Sequence, residues 1–194
     1  TVKATRNGTC VSNVVKDTIK DIPALTATAL NDTVCLGDGV NITVSAGGGS
    51  GVYAYEWRVL VGNSESDPIE TQATTYVTPE NTTSYVVTVK DQSNLSCTVR
   101  DTLTVRVMKP TLQLTVSDDV TIGKNSAVLL TVTPSGNFTA GTPTYQWTSS
   151  NNLEVINGAT NAEVVVTPAS STTYYTVNVQ ATLTEGTHSC PATA

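Results

Sequence analysis

The stretch Thr78-Pro79-Glu80-Asn81-Thr82-Thr83-Ser84-Tyr85-Val86-Val87-Thr88-Val89 decides the fold, because it returns as Thr167-Pro168-Ala169-Ser170-Ser171-Thr172-Thr173-Tyr174-Tyr175-Thr176-Val177-Asn178-Val179. Each copy is a Thr-Pro turn, a polar Ser/Thr/Asn corner and a Tyr-x-Val-x-Val alternation. Successive side chains of a strand point to opposite faces, so Tyr85, Val87 and Val89 share one face and Val86 and Thr88 the other. One apolar face in a Thr-rich chain predicts a half-buried antiparallel strand. Two copies in 194 residues predict two small domains rather than one large one.

Composition narrows the class. The formal net charge is −6 and the pI is near 4.6, so no basic surface is available to neutralise phosphates, and nucleic acid or an anionic membrane is not an expected partner. The chain holds 36 Thr and lacks long runs of Leu, Glu, Lys and Gln, which predicts an all-β protein. No apolar run approaches the ~18 residues of a membrane span. The opening Thr1-Val2-Lys3 has neither the charged start nor the apolar core of a signal peptide.

Working outward from the repeated stretch, residues 24–109 form the first complete repeat. Strands are predicted over Leu25–Leu30, Thr33–Cys35, Val40–Ala46, Val52–Val61, Thr74–Val77, Ser84–Lys90 and Thr98–Val107. The turns fall at Gly37-Asp38-Gly39, Gly47–Gly51 and Asp91–Ser96. Seven short strands at this spacing predict a β-sandwich of the immunoglobulin type. Residues 110–194 give a second sandwich, with strands over Leu112–Val116, Ala127–Thr133, Thr144–Thr148, Glu163–Val166 and Tyr174–Leu183. Its final strand is expected to be missing, because Ser189-Cys190 matches Ser96-Cys97 and only four residues follow. Residues 1–23 match the end of a repeat at one constant offset (Thr1 to Thr88, Cys10 to Cys97, Pro23 to Pro110), so they read as the last strands of a preceding, truncated repeat. The chain is thus expected to be a window on a longer tandem array. The joint at Lys109-Pro110 is short and holds a proline, which predicts a semi-rigid pair. Trp57 and Trp147 take equivalent places in Tyr55-Glu56-Trp57 and Tyr145-Gln146-Trp147, as core aromatics between two sheets do.

The frame Val34-Cys35-Leu36-Gly37-Asp38, Tyr55-x-Trp57, Val77-Thr78-Pro79, Thr83 to Val89 and Ser96-Cys97 to Val107 resembles the PKD-like and Ig-like repeats of very large Bacteroidetes-type surface adhesins, gliding-motility adhesins exported by the type IX route among them. The resemblance covers residues 24–194 and implies tandem Ig-like (PKD-like) sandwiches, an extracellular, cell-surface location, and neighbouring repeats of the same chain as partners. Because Cys35 and Cys97 recur together in single repeats of that family, it also implies a Cys35–Cys97 disulfide, which would close a loop of about 60 residues and stabilise by roughly 4 kcal/mol on the chain-entropy model. The rival pairing joins Cys35 to Cys190 of the next repeat. Residues 110–194 depart from the pattern at Thr121, which stands where the first repeat has Cys35. The family likeness further implies O-glycosylation at Asp-Thr followed by an apolar residue, hence at Thr18, Thr33 and Thr102.

Catalysis finds little support. His188 is the single histidine and reads as an exposed loop residue, the carboxylates are scattered over turns, and nothing marks a nucleophile. No metal or cofactor is expected: Cys-x-x-Cys is absent, and Asp118-Asp119 lacks the ligand run of a calcium loop and reads as a solvated turn. Asn-x-Ser/Thr occurs at Asn7, Asn31, Asn41, Asn81, Asn94 and Asn137, as chance alone produces in a chain rich in these residues. The acidic loop Gly62–Thr71, with Asn63, Glu65 and Asp67, is the candidate ligand loop, for a surface glycan or a protein, and Gly47–Gly51 is a second. The leading expectation is a non-catalytic stalk or filament segment of a surface adhesin. The alternatives are a carbohydrate- or protein-binding module, or accessory domains of a secreted glycan-degrading enzyme. A last possibility is donor-strand pairing of residues 11–22 with the open second repeat of another copy.

Overall fold

The structure, a computed structural model, describes residues 22–93, 97–151, 156–169 and 172–194. Among these residues there are strands and turns and no helix, hence none long and apolar enough to cross a membrane. By packing they divide into two compact units. One contains residues 22–29, Thr43–Thr74 and Val86–Thr102; the other contains Leu30–Ile42, Thr75–Tyr85 and Leu103–Ala194. Expectations that rest on residues 1–21, including Cys10, Thr18, Asn7 and the strand over 11–22, and on Asn94, lie outside the described residues.

The sheets follow the immunoglobulin plan twice. In the first sandwich β1 (Thr26–Ala29), β3 (Val40–Gly47) and β6 (Thr74–Val77) form one sheet in the order β1-β3-β6. The other sheet is β2 (Asp32–Cys35), β8 (Thr98–Met108), β7 (Thr83–Asp91), β4 (Tyr53–Val61) and β5 (Ser64–Glu65), in the order β2-β8-β7-β4-β5. In the second sandwich β9 (Gln113–Val116), β10 (Val128–Ser135) and β12 (Glu163–Val166) make a sheet of order β12-β10-β9, while β11 (Thr144–Ser149), β13 (Tyr175–Glu185) and β14 (His188–Thr193) make one of order β11-β13-β14. The first and second strands of each repeat's opening sheet, β1 with β3 and β9 with β10, pair antiparallel. The assignment to all-β, Ig-like sandwiches therefore rests on strand order.

Two features differ from expectation. β7 lies between β8 and β4, and Val86, on the face opposite Tyr85, Val87 and Val89, is buried as well. This central strand is buried on both faces, so a simple in/out alternation underestimates its burial. The second sandwich does possess the strand expected to be missing. β14 pairs antiparallel with β13 from Glu185↔His188 to Gln180↔Thr193. The hairpin is tight because Gly186 takes φ +58°, a left-handed conformation that a glycine adopts without steric cost.

Both cores are organised by tryptophan. Trp57 is fully buried, and its indole Nε1 donates to the Gln72 carbonyl at 3.0 Å, two residues ahead of β6. Trp147 repeats this, donating to the Asn161 carbonyl at 2.9 Å, two residues ahead of β12. Around Trp147 pack Val132, Val164, Val166 and Val179, with Leu130 and Tyr175 at the margin. Tyr175, rather than the 73% exposed Tyr174, is the counterpart of Tyr85, because the second Thr-Pro corner holds one residue more. Trp57→Phe is expected to lower the unfolding free energy by about 1–3 kcal/mol, since it removes the indole hydrogen bond and part of a fully buried ring, and Trp57→Ala by about 3–5 kcal/mol. Urea unfolding followed by circular dichroism measures both.

Candidate functional site

Cysteine pairing corrects the expected Cys35–Cys97 bond. Cys35 is joined to Cys190, with the two Cα atoms 5.5 Å apart, and Cys97 is an exposed free thiol. The reason lies in strand direction. β2 pairs parallel with the far end of β8, in the register Cys35↔Met108. Cys97 sits just before the start of β8, so eleven residues at ~3.3 Å each place it about 35 Å along the strand, whereas a disulfide needs Cα atoms within ~7 Å. Cys190 is fully buried in β14, and Thr121 gives it no thiol within its own repeat.

An open cleft of about 620 Å³ lies beside this disulfide, within the second compact unit. Three pieces of chain form it. The first is β2 and the turn after it, in which the Asp38 N–H donates to the Cys35 carbonyl at 3.0 Å and Gly37 takes φ +93°, the glycine position of a type II turn. The second is Tyr76 of β6, and the third is the β13–β14 turn with Thr187, His188 and Ser189. Tyr76 is 63% exposed, yet a Cβ placed on Gly39 would stand 2.3 Å from its hydroxyl oxygen, so the phenol lies directly against that glycine. His188 Nε2 is 3.6 Å from Asp32 Oδ1, and Arg106 pairs with Glu185 close by in sequence, Nη2 to Oε1 at 2.9 Å. His188 was expected in a loop; it opens β14 and is half-buried. Among the described residues no hydroxyl is hydrogen-bonded to His188, and no group of three or more His, Cys, Asp or Glu side chains gathers at metal-binding distance.

The expected ligand loop has a different character. Gly62 takes φ +60° and turns the chain straight back, pairing Val61 with Ser64 and Leu60 with Glu65. After Asp67-Pro68 the chain rejoins the sheet, where the Ile69 N–H donates to the Trp57 carbonyl and the Trp57 N–H donates to the Glu70 carbonyl, both at 2.9 Å. Residues 64–70 are thus an interrupted edge strand on β4 rather than a free loop. Asn63, Glu65 and Asp67 are all exposed, but Glu65 is engaged: its carboxylate pairs with Arg100 and stands 4.0 Å from Arg58 Nε, which itself donates to Glu56 at 2.9 Å.

The glycine-rich corner is equally occupied. Asp91, 3% exposed, accepts from the Ser50 N–H at 2.7 Å, the Ser50 hydroxyl at 2.5 Å and the Ser93 N–H at 3.0 Å. Gly49 takes φ +57°, and a Cβ there would stand 2.4 Å from the Asp91 carboxylate, so glycine is required for this approach. The Ser50 hydrogen bonds, ahead of those from Ser93, lower the Asp91 carboxyl to about 2. Of the glycosylation candidates, Thr102 is exposed on β8 and Thr33 is half-buried on β2, each with its N–H held by the preceding aspartate. Asn137 spends its side chain on the joint, with Nδ2 donating to the Lys109 carbonyl at 3.0 Å and Oδ1 accepting from the Thr111 hydroxyl at 2.8 Å. Tyr76 and His188, which the sequence reading did not group, come together only because β2 and β14 meet. A signal for Tyr76 was present: strand alternation beside the inward Val77 turns it outward.

No family model and no curated protein matches the chain. Solved structures with a related outline include immunoglobulin tandems. "Sidekick-1 immunoglobulin domains 1-5" is 12% identical at TM-score 0.41, over 90% of this chain and 38% of that one. The titin domains z1z2 in complex with telethonin are 16% identical at TM-score 0.36, over 91% and 95%. Three N-terminal domains of the bacteriophage RB49 outer capsid protein Hoc are 17% identical at TM-score 0.36, over 89% and 58%. The chain spans less than half the length of the Sidekick-1 chains it matches.

Non-reducing peptide mapping is expected to recover a Cys35–Cys190 cross-link and an unlinked Cys97. Cys190→Ser should lower the unfolding free energy by about 2–5 kcal/mol, and Cys97→Ser should change it by less than about 0.5 kcal/mol. Asp91 titrates lower in the folded chain than the ~3.9 of a free aspartate, so its contribution to stability is full above pH ~4 and is lost as pH falls toward 2. Unfolding curves taken from pH 5 to pH 2 should show that loss, and Asp91→Asn should flatten it.

Proposed function

We propose that residues 24–109 and 110–194 are consecutive repeats of a non-catalytic stalk or filament segment belonging to a secreted, surface-displayed bacterial adhesin of the Bacteroidetes type. The observation that carries this reading is repetition of the same core arrangement. Each sandwich buries its own tryptophan and bonds the indole N–H to the segment entering its own opposite sheet, so the same packing recurs as each repeat adds length. Loops of the first sandwich are spent internally, on Asp91 and on the β4 edge, as suits a spacer. An oxidising, extracellular setting accords with the Cys35–Cys190 bond. The type IX route and the gliding association rest on the sequence resemblance alone.

The test is replacement in the parent protein of residues 24–194 by an unrelated two-domain sandwich of equal length. Adhesion should be unchanged; adhesion lost while display is intact would refute a spacer. In the same reading Thr18, Thr33 and Thr102 carry O-linked glycans in the native host. Intact-mass analysis should show added hexose-type masses that disappear stepwise with Thr→Ala substitutions, and a bare peptide mass would remove the glycan from the proposal.

A further inference from the structure

We propose that the cleft beside Cys35–Cys190 is a binding site for a neutral saccharide, with Tyr76 as the stacking platform and Asp38 as the principal hydroxyl acceptor. The platform comes first. Tyr76 combines two properties that rarely coincide on a surface: 63% of it is exposed, and its phenol is seated against the backbone of Gly39. An exposed ring that is held in place offers an apolar face at little entropic cost, the property that makes tyrosine a frequent contact residue in binding sites. The Gly39 Cα carries no Cβ in the space the phenol occupies, and its φ is not left-handed, so glycine there serves the tyrosine and not the turn.

The chemistry around the ring selects the ligand. The cleft is about 620 Å³, within the range of small-molecule sites, and widely open to solvent, as suits a saccharide that keeps much of its hydration. Beside Tyr76, Val34, Cys35 and the glycines of the turn, the residues that line it are polar: Thr33, Asp38, Thr187, His188 and Ser189. An apolar ligand would leave these groups unpaired. An anion would face Asp38, with Asp32 paired to the only nearby imidazole. A quaternary cation is recognised by a cage of several aromatic rings, and this cleft has one. A sugar ring satisfies the whole lining, stacking its C–H face on Tyr76 while its hydroxyls donate to carboxylate and accept from hydroxyls and imidazole. Cys35–Cys190 fixes the two banks of the cleft, since Cys35 precedes the Gly37-Asp38-Gly39 turn and Cys190 follows His188-Ser189.

A glycan on Thr33 would fill this cleft, so the site belongs to chains that carry none there, and the test uses the oxidised chain made without O-linked glycans. It is titrated calorimetrically with cellopentaose, xylopentaose, mannopentaose and chitopentaose, and with choline as the cationic comparison. At least one pentaose should bind, and choline should not. Tyr76→Ala should weaken that binding about tenfold and Tyr76→Phe should retain most of it. Gly39→Ala keeps the tyrosine but pushes it off its seat, so it should weaken binding without altering the unfolding midpoint by more than a little. Failure of all four pentaoses to bind overturns the proposal. So does binding that survives both Tyr76→Ala and Gly39→Ala, or binding of choline alone. The domain replacement removes this cleft too, so it is run beside Tyr76→Ala in the parent protein: adhesion lost in the replacement but kept with Tyr76→Ala counts against the spacer alone, and failure of every pentaose to bind counts against the cleft alone.

Discussion

Everything in either sandwich depends on one hydrogen bond from an indole. A buried Trp brings a large apolar surface into the core but also an N–H that must find an acceptor there. In both repeats the acceptor is a backbone carbonyl on the segment that enters the opposite sheet, so the bond fixes the spacing between sheets as well as satisfying the donor. Neighbouring backbone bonds keep the same pattern: the Val44 N–H reaches the Ala73 carbonyl, and the Val132 N–H reaches the Ala162 carbonyl. The strands can differ in sequence between repeats, provided this tie and the inward valines persist.

A second constraint runs across the repeats' edges. β2 lies parallel to β8 and carries a cysteine to the end of the sheet opposite its own Cys97. The residues equivalent to β2 in the second repeat, around Thr121, form no strand and carry no thiol. One bond therefore serves two cysteines that each lack a partner in their own repeat. The Arg106–Glu185 ion pair and the approach of His188 to Asp32 in the same unit are too exposed to add much on their own, and the covalent bond sets the geometry they decorate.

The strand pattern was plain from the residues, and the chemistry of the edges was not. Thr74–Val77 and Glu163–Val166 were delimited by Thr-Pro turns and outlined to the residue. Local signals of that kind are strong because turn residues and alternation lie within one short stretch. The edge-strand character of Gly62–Thr71 is not legible, because its Gly62 hairpin and its return along Trp57 are made by backbone bonds that acidic side chains do not advertise. β14 was hidden by a different cause, the assumption that Ser189-Cys190 must copy the loop at Ser96-Cys97. The disulfide was legible in principle: once β2 is read as parallel to the last strand, the length of β8 alone separates Cys35 from Cys97. The cleft had no such route, since Tyr76 and His188 are brought together by non-local pairing.

Closing Cys35 on Cys190 has a mechanical meaning. Tension entering the chain ahead of the first cysteine and leaving after the second is carried through the sulfur–sulfur bond, and the 155-residue span between them is relieved of load. Fully extended, such a span would measure roughly 500–560 Å. In an oxidising medium that length is withheld from any extension of the molecule, and all of the first sandwich after β2 and most of the second are shielded from unravelling under pull. Reduction would release it. The bond thus makes the contour length of the protein a function of the redox state of its surroundings.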